Sequence, residues 1–383
     1  MDLETFSWSE ASGWSVDPLP PLDSQRTLVL VFAAPELCDG HPVLATLAAT
    51  YPSSCLIGCS TAGEIYGPLV SDRSLSVAVM RFRDASVSIA KADVRGAADS
   101  RAAGVQLARQ LTRPDLRAVF VLSDGLCVNG SELVKGLNET LPEGTIVTGG
   151  LAADGDRFQR TRVIHGGAVQ GGIVVAAGLH GAHLRIGHGS RGGWDAFGPE
   201  RRVTRSAGNV LYELDGKPAL ALYKEYLGER AAGLPATALL FPLAVRLDEG
   251  EDAPQLVRTV LAVDEREQSM TFAGDLPRGC RARLMRANFD RLVDGASLAA
   301  AQAGAGQGVD AGAAPLLAIA ISCVGRRLVL GERIEEETEA ALEHFPPGTR
   351  QIGFYSYGEI SPHVAGNCEL HNQTMTLTTI AED

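Results

Sequence analysis

Apolar residues in this chain gather in short unbroken runs, and the order in which those runs alternate with helix-period segments recurs three times. In the first pass, residues 27–32 form a buried-type strand, 41–50 a short helix and 55–59 a second strand. A hairpin over 75–82 and 87–92 follows, turning at Arg83-Asp84, and then a helix over 98–111. In the second pass, strand 118–122 precedes a helix over 131–139, which starts after Asn129-Gly130. Strand 145–148 then ends at Gly149-Gly150, and paired strands cover 162–165 and 172–177. The third pass reads strand 316–322, helix 334–345, strand 350–355 and strand 374–380.

Between the second and third passes the pattern is more antiparallel. Strands are predicted over 238–245, 256–264, 269–273 and 280–286, with an Ala-rich helix over 288–301. Residues 303–314 are Gly/Ala-rich without apolar periodicity and read as a mobile loop. Continuous apolar strands around Ile57 and Ile352 require sheets covered on both faces. The expected fold is therefore mixed α/β: repeated β-α-β-β units in two lobes, with sheets face to face and helices outside. The expected divisions are a loosely ordered lead-in over 1–26, a first domain over 27–215 and a second over 216–383, parting at Asp215-Gly216.

One motif occurs twice. Leu56-Ile57-Gly58-Cys59-Ser60-Thr61-Ala62-Gly63-Glu64-Ile65 matches Gln351-Ile352-Gly353-Phe354-Tyr355-Ser356-Tyr357-Gly358-Glu359-Ile360 at the Ile-Gly and Gly-Glu-Ile positions. Each copy follows an aromatic-Pro pair, Tyr51-Pro52 or Phe345-Pro346, and Leu141-Pro142 holds that place in the second pass. Self-similarity at matched spacing points to duplicated supersecondary units.

The second copy, with the following His371-Asn372-Gln373-Thr374-Met375-Thr376-Leu377, resembles the C-terminal signature of the FIST domain, a ligand-sensing module of signal-transduction proteins. The first copy and Gly149-Gly150-Leu151-Ala152-Ala153-Asp154-Gly155 are similar to that family's N-terminal half. The resemblance implies sensing of a small ligand, with amino acids proposed and haem-linked nitric oxide sensing in some members. It does not choose among ligands.

Composition narrows the field. A hydrophobic fraction of 45% with 21% charged residues is that of an ordinary globular protein. A net charge of −12 without a basic run argues against nucleic acid. The densest charge run, Glu335-Glu336-Glu337, reads as the solvated start of a helix. Seven dispersed cysteines, without zinc or Cys-x-x-Cys spacing, read as reduced cytosolic thiols, and the acidic N-terminus is unlike a signal peptide. Residues 163–184 carry no Asp, Glu, Lys or Arg but are rich in glycine. They read as two buried strands joined near Gly166-Gly167, with no membrane insertion.

Short catalytic patterns in the chain each have a plainer reading. Gly58-Cys59-Ser60-Thr61-Ala62 is one residue from a nucleophile elbow, but the segment after it, with Gly63, Gly67 and Pro68, supplies no helix to support the strained turn. Gly187-His188-Gly189-Ser190-Arg191-Gly192 spells a dinucleotide motif, yet no helix can open at Gly193-Trp194. For haem, His371 is the best-placed axial candidate beside the Gly-Glu turn, though a lone histidine is more often structural.

The expected site gathers the loops that follow the second strand of each pass: Cys59, Ser60, Thr61, Gly63 and Glu64; Gly149, Gly150 and Asp154; and Tyr355, Tyr357, Gly358, Glu359, Asn367, His371 and Asn372. Glu64 and Glu359 either grip a ligand's ammonium or hydroxyl group or accept backbone amides and hold their turns. Gly63, Gly149 and Gly358 allow backbone amides to approach a ligand. The function expected is that of a non-enzymatic cytoplasmic sensor, binding a small molecule such as an amino acid and signalling through a separate protein such as a kinase or cyclase. Its rivals are a haem-based gas sensor and a hydrolase using Ser60 or Cys59. Catalytic residues, metals and cofactors are otherwise expected to be absent.

Overall fold

The computed structural model describes residues 1–234, 236–246, 255–305, 315–362 and 367–383. Three mixed sheets form its body. In each, two parallel strands lie at the centre: Thr27–Ala33 with Cys55–Ser60, Leu116–Ser123 with Ile146–Leu151, and Leu317–Cys323 with Arg350–Ser356. Parallel neighbours need a crossover. Helices Pro42–Thr50, Gly130–Asn138 and Ile334–Leu342 supply it.

The hairpin after each parallel pair leaves its own sheet. Glu64–Tyr66 with Leu69–Ser71 extends the third sheet, Val163–His165 with Ala168–Gln170 the first, and Glu359–Pro362 with Cys368–His371 the second. Each sheet is thus completed by a neighbour, in a closed cycle. The chain then re-enters its own sheet through Ser74–Arg81, Ile173–His180 or Met375–Glu382.

Inner faces from all three sheets share one core, in which Phe32 and Phe354 meet with ring centroids 4.6 Å apart. Helices cover the outer faces, so the mixed α/β expectation holds, with sheets packed face to face. Glycine enforces the closest strand contacts. A Cβ at Gly58, Gly149 or Gly353 would overlap the backbone oxygen of Val31, Val121 or Ala320 on the parallel partner.

Several expectations need correction. Residues 1–26 are not a loose lead-in: Asp2–Ser9 is a strand of the first sheet, registered Thr5 to Ala78 on Ser74–Arg81. The corresponding edges of the second and third sheets are filled by strands of the preceding pass, Ser86–Asp93 and Leu184–Arg191. In the first sheet Asp2–Ser9 holds that edge. Burying Phe6 there, with Trp14 edge-on at 5.6 Å, compensates for ordering the segment.

Glu335-Glu336-Glu337 is only partly solvated. Glu337 is buried, bound by Arg326, Ser322 and Tyr355. Residues 163–184 hold three strands rather than two, the first pair turning at Gly166-Gly167 as expected.

The remaining region forms an eight-stranded antiparallel sheet, here termed the cap, entered through Asp195–Ala207 and left through Arg281–Arg286. Asp215-Gly216 is a turn inside this sheet, with φ of 49° and 74°. The strand expected over 238–245 begins only at Leu243, after the 3-10 turn Ala236–Leu240. The strand expected over 256–264 is broken at Thr259 into Gln255–Arg258 and Val260–Asp264.

Helix Phe289–Ala305 leads back to the body and lies against Leu184–Arg191. Side chains at Gly187 and Gly189 would overlap the oxygens of Ala303 and Ala299. The Gly-x-Gly letters therefore serve close helix–strand packing. Of the loop expected over 303–314, residues 303–305 end this helix and 306–314 lie outside the described residues.

Candidate functional site

The three turns expected to converge do meet, and backbone bonds close them into a ring. Ala62 N–H donates to Tyr355 O at 2.8 Å, Tyr357 N–H to Leu151 O at 3.3 Å, and Ala153 N–H to Ser60 O at 2.9 Å. Each turn thereby holds the next. The ring is packed, with Cys59, Ser60, Thr61, Glu64, Tyr355 and Glu359 all buried.

Ser60 is fully committed: its hydroxyl donates to Ala153 O at 2.7 Å and accepts from Arg162 N at 2.9 Å. Burial pushes the Cys59 thiol well up, away from the reactive thiolate. Gly63, at φ 127°, lies under the Arg327 guanidinium, which a Cβ would approach to 2.6 Å. Gly149 and Gly150 belong to the strand pairing with Glu359–Pro362.

Glu64 and Glu359 make matching bonds. Glu64 accepts from the Ser74 hydroxyl at 2.6 Å, from Ser74 N–H at 3.1 Å and from the Thr61 hydroxyl. Glu359 accepts from the Thr374 hydroxyl at 2.9 Å, Thr374 N–H at 3.3 Å and the Ser356 hydroxyl at 2.7 Å. Each carboxyl ties its turn to the start of the strand that re-enters the sheet. Desolvation pushes their pKa values up, to about 7 for Glu64 and about 8 for Glu359, against the hydrogen bonds. By register, Val163 opposite Cys59 holds the third such place.

The second pass differs by a longer turn between Asp154 and Val163. Asp154 organises it, accepting from Gln159 N at 3.0 Å, Arg160 N at 2.8 Å and the Tyr357 hydroxyl. The Tyr357 oxygen also accepts from Phe158 N at 3.2 Å. Phe158 stacks on the Tyr357 ring, centroids 4.3 Å apart and planes 11° from parallel.

Beside this stack, between body and cap, lies a cavity of about 240 Å³. The body contributes Leu126, Val128, Leu151, Phe158, Val324 and Tyr357, and the cap contributes Asn209, Thr259, Leu261, Phe272 and Gly274. Among the described residues no charged side chain lines it. Leu126, Phe158 and Leu261 are 40%, 43% and 44% exposed, a convergence of large apolar side chains that marks a binding site more often than scattered exposure does. The buried Thr259 hydroxyl has no hydrogen-bond partner among the described residues.

Comparison of the three junctions sets this one apart. Where the third pass meets the first, Arg327 binds Asp72 at 2.6 and 2.8 Å. Where the first meets the second, Arg157 binds Glu36 at 2.7 Å and Arg160 binds Asp39. Where the second meets the third, Val128 and Asn372 stand at the places of Arg327 and Asp72, counted from matching strand ends. Asn372 and Gln373 are fully buried there, and their side-chain amides have no hydrogen-bond partner among the described residues.

Of the residues expected at the site, Tyr357 alone lines the cavity. Tyr355 turns inward to Glu337 at 2.8 Å, and Asn367 is exposed. Gly358 carries the carbonyl that accepts from Leu151 N at 2.8 Å. His371 is buried inside its hairpin, Nε2 3.0 Å from Ser361 O. His371 thus lies away from the cavity, and among the described residues the cavity lining holds no histidine. Among the described residues no cluster of His, Cys, Asp and Glu could hold a metal ion.

The pairwise reading missed Leu126, Phe158 and Thr259. An apolar residue in the loop Asp124-Gly125-Leu126, and another in the polar turn after Asp154, were the available signals. A serine–histidine–aspartate set also exists: Ser88 Oγ lies 2.7 Å from His180 Nε2, and Asp115 lies 3.5 Å from Nδ1. Ser88 sits in mid-strand against Gly178 and Leu111, not on an exposed turn with oxyanion donors, so we read it as a polar contact across strands.

The FIST N domain matches residues 27–217 and the FIST C domain residues 219–362. The chain belongs to the FIST family, whose domains are associated with sensing in signal transduction. It is also similar to an uncharacterized protein of Methanocaldococcus jannaschii, 30% identical over 197 residues. That match spans 46% of this chain and 36% of the relative's length. Among the described residues no helix is long and apolar enough to cross a membrane.

Proposed function

We propose that this chain is a cytoplasmic small-molecule sensor that holds its ligand in the cavity between body and cap and reports occupancy to a separate signalling protein, such as a kinase or cyclase. The observation that carries the reading is the third junction. Two equivalent junctions are closed by ion pairs, whereas this one is apolar, partly open and roofed by the cap.

A ligand here touches both parts of the molecule. Among the described residues the polar ties between them near the cavity are Lys135 to Asp275 at 3.1 Å, Asn129 to Asp275 at 3.4 Å, and Arg258 to Leu370 O at 2.8 Å. Occupancy therefore shifts the balance between seated and displaced cap by the ligand's differential affinity for the two. Among the described residues no lining side chain is charged, so these residues offer an amino acid's ammonium and carboxylate no ionic partner.

The test is a thermal-shift screen of neutral metabolites, amino acids and haem on the wild type, Val128→Trp and Leu126→Arg. The first variant fills the cavity and the second charges its mouth. A compound that stabilises the wild type but neither variant supports the site. Equal stabilisation of all three places the ligand elsewhere.

A further inference from the structure

We infer that the cavity takes a neutral, flat aromatic molecule of one or two fused rings. The inference rests on the sensor reading and goes further by naming the chemistry of the ligand.

Size limits the candidates first. A volume of about 240 Å³ exceeds the roughly 150 Å³ of an apolar cavity that accepts benzene, so there is room for a second ring but not for a large cofactor. Ring shape comes next. Three aromatic residues, Phe158, Tyr357 and Phe272, contribute to the lining, with Leu126, Val128, Leu151 and Val324 between them. The Tyr357 hydroxyl is fully used by Asp154 and Phe158 N, so Tyr357 offers the cavity its ring and not its oxygen. Gly125 keeps that ring accessible, because a Cβ there would lie 3.0 Å from Tyr357 Cδ2. Stacked and edge-on contacts between rings add attraction beyond the area they bury.

Polarity decides the rest. An ionised ligand entering this lining would lose hydration without gaining a counter-charge. Asn129 and Asn209 already spend amide hydrogens on Asp275 and Phe272 O. Thr259 stands where the strand breaks between Arg258 and Val260, its backbone oxygen taken by Ala273 N at 2.9 Å. Its hydroxyl is buried with no surface open to the cavity, so it offers a ligand no hydrogen bond.

The experiment titrates the purified chain with indole, 1-methylindole, indole-3-acetate and L-tryptophan by calorimetry, on the wild type and Val128→Trp. Indole is expected to bind at least tenfold tighter than the two charged compounds. 1-Methylindole, which keeps the rings without the N–H, is expected to bind as indole does. Tryptophan or indole-3-acetate binding as tightly as indole, and lost in Val128→Trp, would overturn the ligand class while leaving the sensor site standing. Binding of indole that survives Val128→Trp and a mouth-charged Leu126→Arg variant alike would overturn the site as well.

Discussion

The ring of Phe158 lies nearly parallel to that of Tyr357, 11° apart in plane and 4.3 Å between centroids, although the two residues belong to different passes of the chain. Phe158 reaches this position on a turn that Asp154 holds, and the same Asp154 carboxylate fixes the Tyr357 hydroxyl. The pair forms one wall of the cavity between body and cap.

Replacing Phe158 with alanine should therefore separate binding from folding. Phe158 is largely exposed, and an aromatic pair is worth about 1 kcal/mol, so the melting temperature should fall only slightly. Affinity for a cavity ligand should fall by about tenfold, one ring contact's worth. Calorimetry on Phe158→Ala beside the wild type measures both. An unchanged affinity would remove the stack from the site.

Glu64 and Glu359 predict an unusual pH dependence. Their folded pKa values, about 7 and about 8, lie above the ordinary 4.5, so the folded chain binds more protons than the unfolded chain in between. Stability from these groups is present at mildly acidic pH and is lost as pH rises from about 4.5 through about 8. Glutamine mimics the protonated form, and the Thr61 and Ser356 hydroxyls can turn to accept from it. The double variant Glu64→Gln, Glu359→Gln should lose little melting temperature between pH 6 and pH 8.5, whereas the wild type should fall. Parallel curves would show that both carboxyls titrate normally.

Arg326 and Glu337 form a fully buried ion pair at 2.6 Å, and Arg326 also reaches the backbone oxygens of Gly192 and Leu292. Arg326→Met leaves Glu337 buried without its counter-charge and should cost about 3–5 kcal/mol in urea unfolding. Adding Glu337→Leu should recover part of the loss, because an unpaired buried charge costs more than an absent pair. A double variant less stable than Arg326→Met would contradict that account.

Gly189→Ala tests the helix packing. The new methyl must displace Ala299 O on helix Phe289–Ala305, and overpacking of this kind costs about 1–3 kcal/mol. Circular dichroism melting should show the loss, and Gly187→Ala should behave alike. Indifference to both changes would mean the helix can slide off its strand freely.

How much of this was legible before folding depends on how far each signal reaches along the chain. The paired strands, the crossover helices and the Ile-Gly sites were readable, because apolar runs and glycine act through a residue's own backbone and immediate neighbours. Glu64 and Glu359 stood out as a matched pair, but their partners Ser74 and Thr374 lie on the next strand, so the choice between gripping a ligand and holding a turn stayed open.

The exchanged hairpins were not readable. Glu64–Tyr66 suits the third sheet as well as its own in composition, and only the closed cycle of sheets decides between them. The cavity was least legible of all. Leu126, Phe158, Thr259 and Tyr357 come from separate loops, and of these only Tyr357 stood out in the sequence. Local sequence determined the strands and their glycine contacts, since those depend on short-range sterics. The exchange of hairpins, the neutral junction at Val128 and Asn372, and the cavity beneath the cap were decided by tertiary structure, because apolar burial and charge pairing act between surfaces that meet only after the chain has closed on itself.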